Sequence, residues 1–175
     1  HKKPGYQAIA KAADKRIKGI VVVRKDSHVT KLSQLEGETL AFPSPAAFAA
    51  TILPTTYFSK IGLNIISKYV SSHDSVYRAV AQGHFPAGGG VVRTFNNMTP
   101  DIREQLKILW VTEKYTPHAF AVHPRINVIV KNKIQKAFIE LSQQDEGKKL
   151  LNTIKLKGIT GAKDEDWNDI RQLNI

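Results

Sequence analysis

A chain of 175 residues, 42% hydrophobic and 8% aromatic, suffices for one domain or two small ones sharing a core, and is too apolar to be disordered. The absence of cysteine excludes disulfides, thiolate metal sites and cysteine nucleophiles, and no apolar run approaches the length that spans a bilayer. Lys+Arg 26 against Asp+Glu 15 gives a formal charge of +11, which favours anionic partners, although a plain basic surface fits the same totals.

The first residues, His1-Lys2-Lys3-Pro4-Gly5, carry charge with no apolar segment behind it and do not read as a signal peptide. Tyr6 to Arg16 has Ala and Ile at helical spacing and predicts a helix. Ile17 to Arg24 is β-branched and almost continuously apolar, the pattern of a buried strand. Ser33 to Gly37 predicts a helical turn closed by glycine, and Thr39 to Phe42 a strand. A helix over 46–61 follows, with a kink or restart at Pro54 and a stop at Gly62. Ile66 to Ser71 reads as a strand, Asp74 to Gln82 as a helix closed by Gly83, and Ala87 to Val92 as a strand with three glycines. Short helices are expected near Arg93 to Asn97 and from Pro100 to Leu106, and strands at 107–112 and 119–122. The longest amphipathic helix spans 127–144, with Val128, Val130, Ile134, Phe138 and Leu141 on one stripe. Further helices are expected near 146–151 and 164–173.

Alternation of strands and helices predicts an α/β fold with a largely parallel sheet. Residues 38–106 are bracketed by the two apolar strands 17–24 and 107–112, which suits an inserted lobe with two chain crossings. Residues 29–111 are taken as that second lobe, and 1–28 with 112–175 as the first.

Three strand-to-helix turns in the inserted lobe carry the chemistry, because helix starts offer unpaired N–H groups and the positive end of a dipole. The first is Phe42-Pro43-Ser44-Pro45-Ala46-Ala47-Phe48. The amides of Ala46, Ala47, Phe48 and Ala49 can receive an oxyanion with Ser44 at the edge, or Ser44 can simply cap the helix. The second is Val70 to Ser75, where Ser72 or Asp74 caps and His73 can donate to an anion; consecutive Ser72, His73 and Asp74 cannot form a catalytic triad. The third is Gly88-Gly89-Gly90-Val91-Val92-Arg93-Thr94, with glycines permitting close backbone approach and Arg93 able to pair with an oxyanion. The same glycines also suit a crowded strand under a helix. Neither a dinucleotide fingerprint nor a P-loop is present. His118 and His123 face opposite sides of a strand and cannot share a metal. Basic residues occur in ones and twos without interleaved aromatics, so nucleic acid is not expected as a partner. No carboxylate pair stands near the turns, and no cofactor, metal or catalytic residue is indicated.

Leu35-Glu36-Gly37-Glu38-Thr39-Leu40-Ala41-Phe42-Pro43-Ser44-Pro45, then Val70-Ser71-Ser72-His73-Asp74-Ser75-Val76, Ala79-Val80-Ala81-Gln82-Gly83, and Leu109-Trp110-Val111-Thr112 leading into Tyr115-Thr116-Pro117-His118 resemble the phosphate, phosphite and phosphonate-binding proteins of ABC transporters. That resemblance implies a type II periplasmic binding fold, two α/β lobes joined by two crossover strands. It implies that the chain starts late and that the first lobe is incomplete, since family members have about a further half-lobe before the position of Tyr6. It matches His73 to the family's site histidine and adds Tyr115, at the second crossing, to the ligand contacts. In the phosphonate branch the first turn carries hydroxyls where this chain has Ala46 and Ala47, and Pro86 stands where the family tends to place an acidic residue.

The resulting expectation is an extracytoplasmic solute-binding protein, free in the periplasm or else lipid-anchored or tethered through the preceding part. It would capture a small oxyanion of the phosphonate, phosphite or phosphate type and deliver it to the membrane permease of an ABC importer. The alternatives are a sensory domain of the same fold on a membrane signalling protein, and an enzyme acting on an anionic substrate.

Overall fold

A computed structural model describes residues 5–173 and Ile175; the opening residues 1–4, read above as no signal peptide, lie outside the described residues. Two compact units divide the chain, one from residues up to Ile17 together with 115–173, the other Lys18–Lys114.

In the second unit a five-stranded sheet has the order β4(Ile66–Tyr69), β3(Thr39–Phe42), β5(Ala87–Val91), β2(Gly19–Arg24), β6(Leu106–Val111). Strands β3, β4 and β5 run parallel, while β2 is antiparallel to both its neighbours, β5 and β6. The sequence of β2 shows why it occupies the interior. Ile20 and Val22 point into one layer with Val76, Tyr77 and Val80, and Val21 and Val23 into the other with Leu40, Phe42 and Phe58. An all-apolar strand needs cover on both faces, and this unit supplies it. On one face lie α2(His73–Ala81), α3(Val92–Asn96) and α4(Pro100–Arg103); on the other lies α1(Leu53–Lys60), with the 3-10 turn Leu32–Leu35 beside it.

Strands 17–24 and 107–112, expected to bracket the inserted lobe from outside, are therefore sheet neighbours within one unit. The units divide at 17/18 and 114/115 rather than at 28/29 and 111/112.

The segment expected as one kinked helix from Ala46 begins as a π-helical turn, Phe48–Ile52, and becomes α1 with Pro54 in its first turn, where a missing N–H costs nothing. Gly62 follows α1 and Gly83 follows α2, both with left-handed backbone (φ +71° and +76°).

The first unit holds a three-stranded antiparallel sheet, β7(Ala119–Val122), β1(Gln7–Ala12), β8(Ile159–Gly161). Strand β1 lies in the stretch expected to be helical. The helix preference of alanine is worth roughly half a kcal/mol per residue. The central position between two partners, with Ile9 and Ala10 buried against Leu151 and Ile159, outweighs it. Helix α5(Val128–Leu141) is capped by Asn127, whose side chain accepts from the Val130 N–H (2.9 Å). Of its expected stripe, Ile134, Phe138 and Leu141 pack on that core, whereas Val128 is 60% exposed. Helix α6(Asp145–Thr153) and a 3-10 turn, Asp164–Trp167, leading into α7(Asn168–Arg171) complete the unit.

Candidate anion-binding site

Because β4, β3 and β5 are adjacent and parallel, all three deliver the chain to the same end of the sheet, and the three predicted turns meet there. Contacts between them close a triangle. The Val70 N–H donates to the Phe42 carbonyl (2.9 Å), joining the second turn to the first. A side chain on Gly89 would fall on the Ala50 carbonyl oxygen, so the π-helical turn rests directly on β5. The Tyr77 hydroxyl lies 2.8 Å from Thr94 Oγ1 and accepts from the Val91 N–H (3.1 Å), joining α2 to the third turn.

At the first turn Ser44 is half-buried and does not cap the helix with its side chain; its carbonyl accepts from the Thr51 hydroxyl (2.7 Å) and, at 3.3 Å, from the Ala47 N–H. That partner takes the Ala47 amide out of the expected donor set. The first backbone bond of the helical turn comes from the Thr51 N–H to the Ala47 carbonyl (2.8 Å). The amides of Ala49 and Ala50 thus precede the ladder, and the exposed Ala46 stands beside them. Phe48 is half-buried at the start of this turn.

At the second turn Ser71 adopts φ +75° and the Ser72 N–H closes on the Val70 carbonyl (3.1 Å), a tight γ-turn with a left-handed central residue. Ser72 is the cap, its hydroxyl accepting from the Ser75 N–H (3.0 Å). The amides of His73 and Asp74 remain ahead of the helical ladder, whose first bond is Val76 to Ser72 (3.1 Å). The His73 imidazole is half-buried and has no hydrogen-bond partner among the described residues. Burial holds its pKa below the ordinary 6.5, partly opposed by the charge of Asp74, so the ring is neutral at pH 7 and carries one N–H donor.

At the third turn the glycines admit protein rather than ligand. A Cβ on Gly88 would meet Val76 and Val80, one on Gly89 the Phe42 ring, and one on Gly90 the Tyr77 ring. The reading of a crowded strand under a helix describes them. Arg93, two residues beyond β5, is exposed, and its guanidinium has no partner among the described residues. Tyr115 belongs to the other unit, where its backbone pairs with Ile17, and is not among the residues that this sheet gathers.

Sequence reasoning missed Tyr77 and Thr51, which position the turns. The available signal was a tyrosine between Val76 and Val80 on the buried face of α2, since a buried phenol must find a partner. Burial raises the Tyr77 pKa, so the hydroxyl stays protonated. Tyr77→Phe leaves the Val91 N–H without its acceptor and is expected to cost about 1–2 kcal/mol. Urea denaturation at pH 7 checks this; a midpoint equal to that of the parent would remove Tyr77 from this role.

Amides at helix starts, a neutral imidazole and a guanidinium without a partner among the described residues form a set of hydrogen-bond donors, chemistry suited to an oxyanion.

The family of periplasmic substrate-binding proteins of phosphonate ABC transporters matches residues 1–167. Among solved structures, a binding protein component of an ABC phosphonate transporter from Pseudomonas aeruginosa is 20% identical, with a TM-score of 0.80, over 97% of this chain and 61% of that one. A Xanthomonas citri protein solved with chloride gives a TM-score of 0.85 at 16% identity, over 98% of this chain and 70% of that one. A Prochlorococcus marinus protein in complex with methylphosphonate gives 0.79 at 19% identity, over 98% and 71%. At these identities the likeness is one of fold, a type II periplasmic binding architecture, and the chain spans about three fifths of the length of the first of these. The chain belongs to the periplasmic substrate-binding proteins of phosphonate ABC transporters, a family of binding proteins and not of enzymes.

Proposed function

We propose that this chain captures a small oxyanion of the phosphonate, phosphite or phosphate type and presents it to the membrane permease of an ABC importer at the extracytoplasmic face. The observation that carries the reading is the convergence of three strand-to-helix corners at one end of a sheet, with the donors of His73 and Arg93 left without partners among the described residues. Family membership supports it. The formal charge of +11 aids capture by raising the local anion concentration.

Isothermal titration calorimetry against phosphate, phosphite, methylphosphonate and sulfate tests the proposal. Saturable heat with at least one is expected, and silence with all four would remove the anion assignment. The neutral state of His73 adds a second expectation. An anion seated against the imidazole favours its protonated form, so at pH values above the lowered pKa of the free protein binding takes up protons, and affinity rises on acidification toward that pKa. Titrations in buffers of different ionisation enthalpy measure the uptake. A His73→Ala variant with the same proton uptake would exclude His73 from the site.

A further inference from the structure

The first turn of α5 is apolar and left open to solvent. Val128, Ile129 and Val130 are 60%, 66% and 41% exposed, three aliphatics in a row where an amphipathic helix turns one stripe of them inward. Further along the same helix Ile134, Phe138 and Leu141 pack on the core, so the uncovered aliphatics are gathered at its N-terminal end. Strand pairing brings an aromatic ring to that end. Gln7 pairs with Val122, and just beyond this pair the ring of Tyr6 stands edge-on to His123, with 5.3 Å between centroids. Lys131 Nζ donates to Gln7 Oε1 (3.1 Å), which ties the start of α5 to the residue after Tyr6. Tyr6 itself is 45% exposed.

The charges around this patch are of one sign. No Asp or Glu occurs in the sequence between Glu113 and Glu140. Arg125, two residues before the cap Asn127, and Lys133 are exposed, and neither forms an ion pair among the described residues. Asp164 borders the same end, but it is paired with Arg171 (2.7 Å). Helix α6 differs in this respect. Its exposed Leu150 stands on a helix that carries Asp145 and Glu146, with Lys148 paired to Asp145 (3.2 Å).

A tyrosine, adjacent aliphatics and cations without carboxylate partners are the composition that settles in the interface of an anionic bilayer. The aliphatics enter the acyl boundary, the phenol stays at the headgroups, and long cationic side chains reach the lipid phosphates. A second copy of the chain fits this face poorly, because a symmetric contact would set Arg125 and Lys133 against their own kind. Nucleic acid fits it poorly too, because aliphatic side chains offer no stacking face. We infer that this end of the first unit, Tyr6 with Val128, Ile129 and Val130, docks on an anionic lipid surface. The inference concerns other residues than the three corners and does not depend on the anion-binding proposal.

Co-sedimentation of the full chain with vesicles of equal parts phosphatidylglycerol and phosphatidylcholine tests it. Binding is expected, and roughly tenfold weaker binding to phosphatidylcholine alone. V128S combined with I129S keeps the charge and is expected to lower binding by roughly tenfold or more. K133E is expected to lower it roughly fivefold or more on the mixed vesicles only, and L150S to bind as the parent does. The replaced side chains are exposed, so denaturation midpoints should stay at the parental value. The chain has no cysteine, so a polarity-sensitive fluorophore on I129C reports contact directly. A blue shift with the mixed vesicles is expected there, and none on Q143C, which lies past the other end of α5, about 20 Å away by helix rise. Inorganic phosphate added at constant ionic strength is expected to displace nothing, which separates lipid docking from the corner site. No vesicle binding by the parent, parental binding in the V128S/I129S protein, equal shifts at both labels or displacement by phosphate would each overturn the inference. Dimerisation that V128S/I129S abolishes, without vesicle binding, would assign the patch to a second copy and overturn it as well. Silence in the calorimetric titrations would remove the anion assignment and leave this result standing.

Discussion

Gly89→Ala is expected to destabilise the Lys18–Lys114 unit by about 3 kcal/mol or more. A Cβ at this position falls on the Ala50 carbonyl oxygen and comes within 2.5 and 2.6 Å of Phe42 ring carbons. Neither neighbour has room to move. The Ala50 carbonyl is part of the π-helical turn that the sheet carries, and Phe42 is fully buried in the core beneath α1. Overpacking of this kind costs about 3 kcal/mol or more, a large fraction of the 5–15 kcal/mol by which a domain of this size is stable. The control is Gly37→Ala, where φ is +74° but nothing lies within 4 Å of the added carbon, so only backbone strain of about 1 kcal/mol applies. Denaturation by urea compares the two. A Gly89→Ala protein within 1 kcal/mol of the parent would show that the turn does not rest on β5.

Arg93→Ala is expected to weaken anion binding by roughly 10- to 100-fold without changing the denaturation midpoint. A charge-assisted hydrogen bond to an oxyanion is worth about 1.5–3 kcal/mol, and each 1.4 kcal/mol is tenfold in affinity. Stability should be unaffected because the guanidinium is exposed and supports nothing among the described residues. The salt dependence of binding should also fall, since a formal positive charge leaves the site. Arg93→Lys is expected to recover only part of the loss, because an ammonium cannot make the bidentate fork. Calorimetry on the three proteins decides it, and parental affinity in Arg93→Ala would place the guanidinium outside the site.

The parts of the fold that were legible in the sequence are those whose signals are local. Strand β3 has the expected limits, β2 shows the continuous apolar run of a doubly covered strand, and α1 and α2 end just before Gly62 and Gly83. What failed depended on partners far along the chain. Strand β1 is alanine-rich and locally helical in pattern, but its partners are Ala119–Val122 and Ile159–Gly161, more than a hundred residues away. Strand β8 has three residues, too few to carry a period, and was not anticipated. The division between units was displaced because two apolar strands look alike in sequence whether they flank a lobe or pair inside it.

The site was legible to the same degree. All three corners follow from strand-to-helix punctuation, and the parallel strands β4, β3 and β5 bring them together. Which donors are spent was not legible. Ala47 turned onto Ser44 and three glycines filled by Val76, Phe42 and Tyr77 are outcomes of packing, to which spacing is blind.

The antiparallel placement of β2 has a consequence for biosynthesis. Its four apolar residues leave the ribosome long before either strand that will flank them, since Val23 must wait for Ala87 and Arg24 for Leu106. Throughout that interval Ile20-Val21-Val22-Val23 is an uncovered, chargeless, β-prone tract of the kind that nucleates aggregation. The nascent chain should therefore be a client for holding chaperones until β5 and β6 emerge, and fast translation through residues 87–111 should raise soluble yield.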